Sequence, residues 1–510
     1  MKTLSEVFKK YEAVIGLEIH TELTSLDTKM FCSCKNSSTD PVNQNVCPVC
    51  LGMPGTLPVP NKDAIRSIVL AGLATNCDIE KNSMFYRKNY FYPDMSKNYQ
   101  ITQGPVAFCM RGHLDLDVPT KAAQERVDID KEEDGSYIAH IGITRIHMEE
   151  DAGKLNHIGG VDGRIAGADH SLIDYNRCGV PLIELVTEPD LRTPEEARLF
   201  MQKLREIFLT IKISDCSMEQ GSMRCDGNVS LRKRGAKEFG VKTELKNMNS
   251  FKNLHDGLEY EIIRQANVLE EGGQVYQETR HWEPSNKRTV VMRTKETADD
   301  YRLFPDPDLA PYDLSDEFID SVREFLPELP DQKRDRYIAD YGLSKQDASE
   351  LAGSLEQSSF FEEALGDKKE IAKSLANIIL NNLAGYLNAE GLSISESKIS
   401  AESISELAEL LSSDEISSKQ AKDVFAIMIE EDELPRVIVE ERGMKQVSDK
   451  GAIVELVKEV IAKSPDQVQQ YKDGNQKIIG YLVGQAMKAS KGQGNPKLIN
   501  QTLREELDKL

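Results

Sequence analysis

Apolar and polar positions alternate with a two-residue period in several short runs of the first 310 residues. These are Val14–Leu23, Ile141–Met148, Val180–Val186, Asn228–Leu231 and Thr289–Arg293, separated by glycine-rich turns, and the pattern predicts strands. Two helices interrupt them. Thr193 reads as an N-cap, Pro194 takes the first helical position and Glu196 completes a capping box. Leu199, Phe200, Leu204, Ile207 and Phe208 form the apolar stripe behind it. The second helix runs from about Ser250 to Glu271 and stops at Gly272-Gly273.

The alternation ends at Phe304-Pro305-Asp306-Pro307-Asp308, and from Asp316 onward the spacing is helical. Ala376, Ile378, Ile379, Leu380, Leu383 and Leu387 mark a strong helix, and a break falls near Glu430–Pro435. The expected fold class is α+β. A mixed-sheet domain covers 1–310 with an insert at 30–55, a helical linker domain covers 311–430, and a small all-helical tail domain covers 431–510.

Composition narrows the function classes. The 510 residues include 63 Lys+Arg and 85 Asp+Glu, a formal net charge of −22. That excludes a protein that coats nucleic acid uniformly, but not one with a local basic patch. No apolar run approaches the ~20 residues of a spanning helix. Glu6, Lys9, Lys10 and Glu12 break any signal-peptide core. Nine cysteines without an export signal point to a reduced, cytoplasmic setting.

Four of those cysteines cluster as Cys32-Ser33-Cys34 and Cys47-Pro48-Val49-Cys50, followed by Gly52. Two tight thiol pairs match a four-sulfur structural Zn²⁺ site, although the first pair is one residue closer than the common spacing. The strand Val14–Leu23 puts Glu18, His20 and Glu22 on one face. On this segment alone an ordinary solvent-facing side is favoured. Glu184 shifts the balance, because it sits inside the apolar run Val180–Val186, where a carboxylate needs a partner or a metal. In His147-Met148-Glu149-Glu150-Asp151, alternation lets only one of the two glutamates face a shared site. Glu18, His20, Glu150 and Glu184 are the expected Mg²⁺ ligands. No Walker A and no G-x-G-x-x-G motif occurs, so an ATP site must use another scheme.

Aromatic and basic residues interleave in Phe85–Asp94 and Lys97–Gln100, the composition of a surface that stacks bases and contacts phosphate, or equally of a packed aromatic loop. Further along, Gly221–Asp226 and Glu244–Phe251 are dense in polar side chains. With Val14–His20, Arg87–Asp94 and His147–Lys154, these segments closely resemble the B-subunit family of the bacterial and organellar aspartyl/glutamyl-tRNA amidotransferases, essentially end to end.

The resemblance implies a cradle-shaped catalytic domain, a helical linker and a tRNA-binding tail. It implies a heterotrimer with an amidase A subunit and a small C subunit. It also implies ATP-dependent phosphorylation of the side-chain carboxylate of misacylated Glu-tRNA(Gln) or Asp-tRNA(Asn), followed by amidation. It maps the metal site onto Glu18, His20, Glu150 and Glu184. Lys88, Tyr90, Arg224, Glu244 and Lys246 become candidates for substrate or nucleotide contact. No amidase signature is present, so ammonia must come from elsewhere. An archaeal-type relative is disfavoured because no inserted domain interrupts residues 310–430. A non-catalytic scaffold is disfavoured by the intact carboxylates.

The charge is unevenly spread. Gly474–Asn500 contains no acid and carries Lys477, Lys488, Lys491 and Lys497, the expected tRNA contacts.

Overall fold

The centre of the sheet is β1 (Tyr11–Glu22), paired from Tyr11 to Thr21 on one side and from Glu18 to Glu22 on the other. The computed structural model describes residues 2–37, 39–120, 126, 129–160, 167–294, 301–446, 450–472, 474–490 and 494–509. Seven further strands extend the sheet from β1. They are β2 (Phe85–Asn89), β3 (Tyr99–Gln103), β4 (Cys109–Val118), β5 (Tyr137–Glu150), β6 (Pro181–Thr187), β7 (Met223–Lys233) and β8 (Thr243–Lys246). With β9 (Glu278–Glu283) and β10 (Arg288–Thr294), the order across the main path is β10-β9-β8-β7-β1-β6-β5-β3-β2, and β4 pairs with β5 off that path. The pairs are antiparallel except β8 with β9, which are parallel, so the sheet is mixed.

One face of the sheet is apolar. Leu17, Ile19, Ile183, Leu185, Ile146 and Met148 lie on it, and helices α1 (Lys62–Ala74), α2 (Pro194–Thr210) and α3 (Phe251–Glu270) supply its cover. The predicted start of α2 is present, with Thr193 accepting from the Glu196 N–H. The return bond differs from a capping box. The Glu196 carboxylate accepts from the Arg192 N–H at 2.6 Å and from the Tyr137 hydroxyl at 2.7 Å, because the helix entry presses it into the core instead of over Thr193.

β5 contains a bulge. Its register with β6 runs Val186 to Arg145 and then Thr187 to Ile143, leaving Thr144 unpaired. An extra residue reverses the alternation beyond it. Ile141 and Ile143 on one side of the bulge therefore share the buried face with Ile146 and Met148 on the other.

The first compact unit is Met1–Leu329. The sequence pattern ends the sheet domain at 310, but Leu309, Leu314, Ile319 and Val322 belong to the same apolar core. The short helix Asp316–Arg323 is thus the last wall of the first unit, not the first element of the second.

The second unit is Pro330–Leu510, all helical among its described residues, with two apolar cores. One joins Tyr337, Phe361, Leu375, Leu407, Val424 and Ile438. The other joins Ile453, Val457, Leu482, Ile499 and Leu503. The strong helix predicted from Ala376–Leu387 spans Ala372–Glu390, its middle Ile378–Leu383 wound as a π segment. The break near 430 is a left-handed residue, Asp432 with φ +55°, after which Pro435 opens a new helix. That helix, through Ile438 and Val439, packs into the preceding core, so the tail core begins near Ile453 and not at 431.

Phe200 in α2 is fully buried between helix and sheet. Phe200→Ala should lower the stability of the first unit by about 3–5 kcal/mol, measured from its urea unfolding transition.

Candidate active site

The polar face of the sheet is assembled by register. In an antiparallel pair, directly opposed residues share a face. Arg224 on β7 opposes His20 on β1, His20 opposes Glu184 on β6, and Glu184 opposes His147 on β5. One row of side chains therefore crosses four strands. The next row sets Glu22 and Glu149 on either side of Leu182, and Glu18 opposes Asp226.

The groups converge. His20 Nε2 lies 3.3 Å from Glu184, 3.7 Å from Glu149 and 3.8 Å from Glu18. His147 Nε2 lies 3.6 Å from the same Glu184 oxygen and 3.9 Å from Glu149. Glu18, His20 and Glu184 each offer one donor atom within 4.8 Å of the others, and so do His147, Glu149 and Glu184. His147 and Glu149 were missed because the bulge conceals their side of the strand from simple alternation. Their shared parity two residues apart was the available signal.

Glu150 is elsewhere. It lies on the core side of β5, beyond Met148, where the buried Lys97 forms an ion pair with it and the Ile101 N–H donates to it at 2.9 Å. Glu149 holds the place that the sequence pattern gave to Glu150.

The remaining candidates surround the cluster. Arg224 bridges Glu22 and Asp151, and Arg177 approaches Asp151 at 3.6 Å. Lys246 pairs with Asp226 and, at 3.2 Å, with Glu244, which also accepts from the Thr279 hydroxyl. Lys88 lies 4.8 Å from the Tyr301 ring and its charge reaches Glu149 and Glu184. Burial and the charges of Asp94, Glu149 and Asp151 raise the Tyr90 phenol.

Electrostatics divide the cluster into unlike groups. Burial would lower His20, but the hydrogen bond to Glu184 and the charges of Glu149, Glu184 and Glu18 raise it to about 9. His147 is lowered to about 4 by burial. Burial would raise Glu184, but His147 and the hydrogen bond from His20 hold it at about 2. Glu149 is pushed up to about 7 by burial and by Glu184.

Against known proteins, residues 13–320 match the family described as "GatB/GatE catalytic domain" and residues 359–507 match "GatB domain". The B subunits of aspartyl/glutamyl-tRNA(Asn/Gln) amidotransferases align along their whole length. The relative from Carboxydothermus hydrogenoformans is 48% identical over 502 residues, covering 98% of this chain and 100% of its own. Those from Persephonella marina and Brevibacillus brevis are 47% and 46% identical, with the same coverage. The chain belongs to the GatB/GatE family.

Two donor sets on this GatB/GatE chain fit metals. Three carboxylates and two imidazoles gathered on one face leave an excess of negative charge, which suits a divalent cation. The Cys32, Cys34, Cys47 and Cys50 sulfurs lie within 4.8 Å of one another, and a tetrahedral site with Zn–S near 2.3 Å needs about 3.8 Å. The Cys47 N–H donates to Cys50 Sγ at 3.2 Å. The Cys32 hydrogen bond, chief among the causes, lowers the Cys50 thiol to about 5. The fully buried Lys29 ammonium sits 3.8 Å from that sulfur while donating to the carbonyls of Asn45 and Tyr175.

In the tail, Lys477, Lys488 and Lys497 are exposed, and Lys497 lies 3.7 Å from Asp414. Lys491 lies outside the described residues.

Divalent-cation binding must displace the proton on His20. Mg²⁺ held by His20 and Glu149 at pH 7 should release more than one proton, the His20 proton and part of that on Glu149, read by calorimetry in two buffers of different ionisation heat. Affinity should climb between pH 7 and 9 and level off once His20 is neutral. Glu150→Gln, by contrast, leaves Lys97 buried without its counter-charge. It should cost about 3–5 kcal/mol of stability in urea unfolding, and Lys97→Met in the same chain should recover most of the loss.

Proposed function

We propose that this chain is the tRNA-binding, ATP-using subunit of a glutamine-dependent tRNA amidotransferase. In this reading it phosphorylates the side-chain carboxylate of Glu or Asp misacylated on tRNA(Gln) or tRNA(Asn), and ammonia then displaces phosphate to give the amide. Ammonia comes from an amidase A subunit, with a small C subunit completing the assembly. The names of the relatives favour this substrate class. The observation that carries the reading is the cluster Glu18, His20, His147, Glu149 and Glu184, flanked by Lys88, Arg224 and Lys246.

A carboxylate is a poor electrophile, because its negative charge suppresses attack at carbon. Phosphorylation supplies a leaving group, but it brings two anions together, so catalysis is chiefly positioning and charge stabilisation. Bound between Glu18, His20, Glu149 and Glu184, Mg²⁺ would neutralise part of that charge. Lys88 and Arg224 hold positive charge beside the same cluster. The Arg224 Nε–H is buried and has no hydrogen-bond partner, which leaves a donor for an anionic substrate group. Their mutual ion pairs hold Arg224 and Asp151 in place before substrate arrives. A structural Zn²⁺ on the four cysteines would brace the 30–55 insert against the sheet domain. Lys477, Lys488 and Lys497 would contact the tRNA backbone.

The test is ATP cleavage that depends on Glu-tRNA(Gln), made with the partner subunits present. Glu149→Gln and Glu184→Gln should each lower the rate by about 10²-fold or more while tRNA affinity stays near its original value. Deleting residues 450–510, which removes the tail core and spares Ile438 and Val439, should weaken tRNA binding. Equal ATP cleavage by parent and variants would refute the assignment.

A further inference from the structure

A second histidine cluster lies on the same sheet, away from the residues above. His113 and Asp115 are on β4 and His140 is on β5. In the β4–β5 ladder Asp115 opposes His140 and His113 opposes Gly142, so all three side chains stand on the outer face. His140 is seven residues from His147 along β5, about 20 Å at the usual rise of a strand.

We propose that His113, Asp115 and His140 form a surface site for a divalent transition-metal ion. Three observations support it. His140 Nδ1 is 2.7 Å from an Asp115 oxygen, and one donor atom from each of the three residues lies within 4.8 Å of the others. The two imidazole rings lie side by side, centroids 4.7 Å apart and planes inclined by 33°. Metal–nitrogen bonds of about 2.0–2.1 Å place donors roughly 3–3.5 Å apart, so small side-chain rotations close the set. The backbone beneath is fixed, because Leu114, Leu116, Ala139 and Ile141 fill the core from the opposite face of the same two strands.

Gly142 is part of the design of this surface. It opposes His113 without a side chain of its own, and the place its Cβ would take is held by Glu188 and Asp190, at 2.8 and 3.1 Å. The Glu188 and Asp190 side chains therefore lie over Gly142, and their charge adds negative potential to this face. Two imidazoles and one carboxylate favour Zn²⁺, Ni²⁺ or Cu²⁺ over Mg²⁺ or Ca²⁺, which prefer oxygen ligands. Exposure of His140 and Asp115 leaves the remaining coordination positions to water.

The probe is Ni²⁺, titrated into the full chain after the cysteine cluster has been loaded with Zn²⁺. The parent chain should bind one more equivalent than His113→Ala/His140→Ala, and Asp115→Asn should lower the affinity of that equivalent. Ni²⁺ should also broaden the ring proton signals of His113 and His140. ATP cleavage in the assembled enzyme should be the same for parent and double variant, which separates this site from the carboxylate cluster. Identical Ni²⁺ stoichiometry and affinity in parent and double variant would overturn the proposal.

Discussion

Charge buried without an answering charge is the constraint around which the first unit is built. Glu149 and Glu184 are both withdrawn from water, and each would cost several kcal/mol if left alone. His20 supplies the local response. It carries a proton to unusually high pH because three carboxylates face it. His147 cannot do the same, being more deeply buried than His20 among groups that His20 already serves. One imidazole is thus cationic and the other neutral, only a few ångströms apart. This unequal pair sets one cationic and one neutral imidazole against the same Glu184 oxygen.

The same constraint explains the other buried ion pairs around the site. Asp151 is held down by Arg177 and Arg224 against the burial that would raise it. Asp226 and Glu244 share Lys246. Glu150, turned to the opposite face, is met by Lys97, and Lys97 in turn packs against Gly52 of the cysteine knuckle, where a Cβ would fall 2.4 Å from the lysine side chain. Lys97 is the link in this contact: its stem packs on the knuckle and its ammonium pairs with Glu150 at the end of β5. Their separate chemistries are mechanically joined although neither supplies ligands to the other.

Much of this could be read from the chain. The α+β class, the N-cap of α2, the stop after α3, the helical second half and the break near 430 follow from local patterns that tertiary packing leaves intact. Glu18, His20 and Glu184 were legible because one residue type stood out against an alternating or apolar background. Glu150 was not, because counting by twos through β5 fails where Thr144 is extruded, and no residue type announces that bulge. The first unit's boundary was misplaced for a similar reason. Asp316–Arg323 is helical, but helicity does not say which core Ile319 and Val322 will join. Nor could the sequence show that His147 stands beside Glu184, since that depends on the pairing of strands more than thirty positions apart.

The bulge makes β5 a strand with two reading frames. Before Thr144, odd-numbered residues point into the protein; after it, even-numbered ones do. Drawing Thr144 into the ladder, with the bulge closed, would put the whole strand in one frame. His147 and Glu149 would turn toward the core, and Ile146 and Met148 would turn outward, with every amino acid of the site still present. The pairing of this segment therefore carries as much information as its composition. A substitution at Thr144 that keeps the bulge is a local event, whereas one that closes it rewrites the face on which the chemistry is displayed.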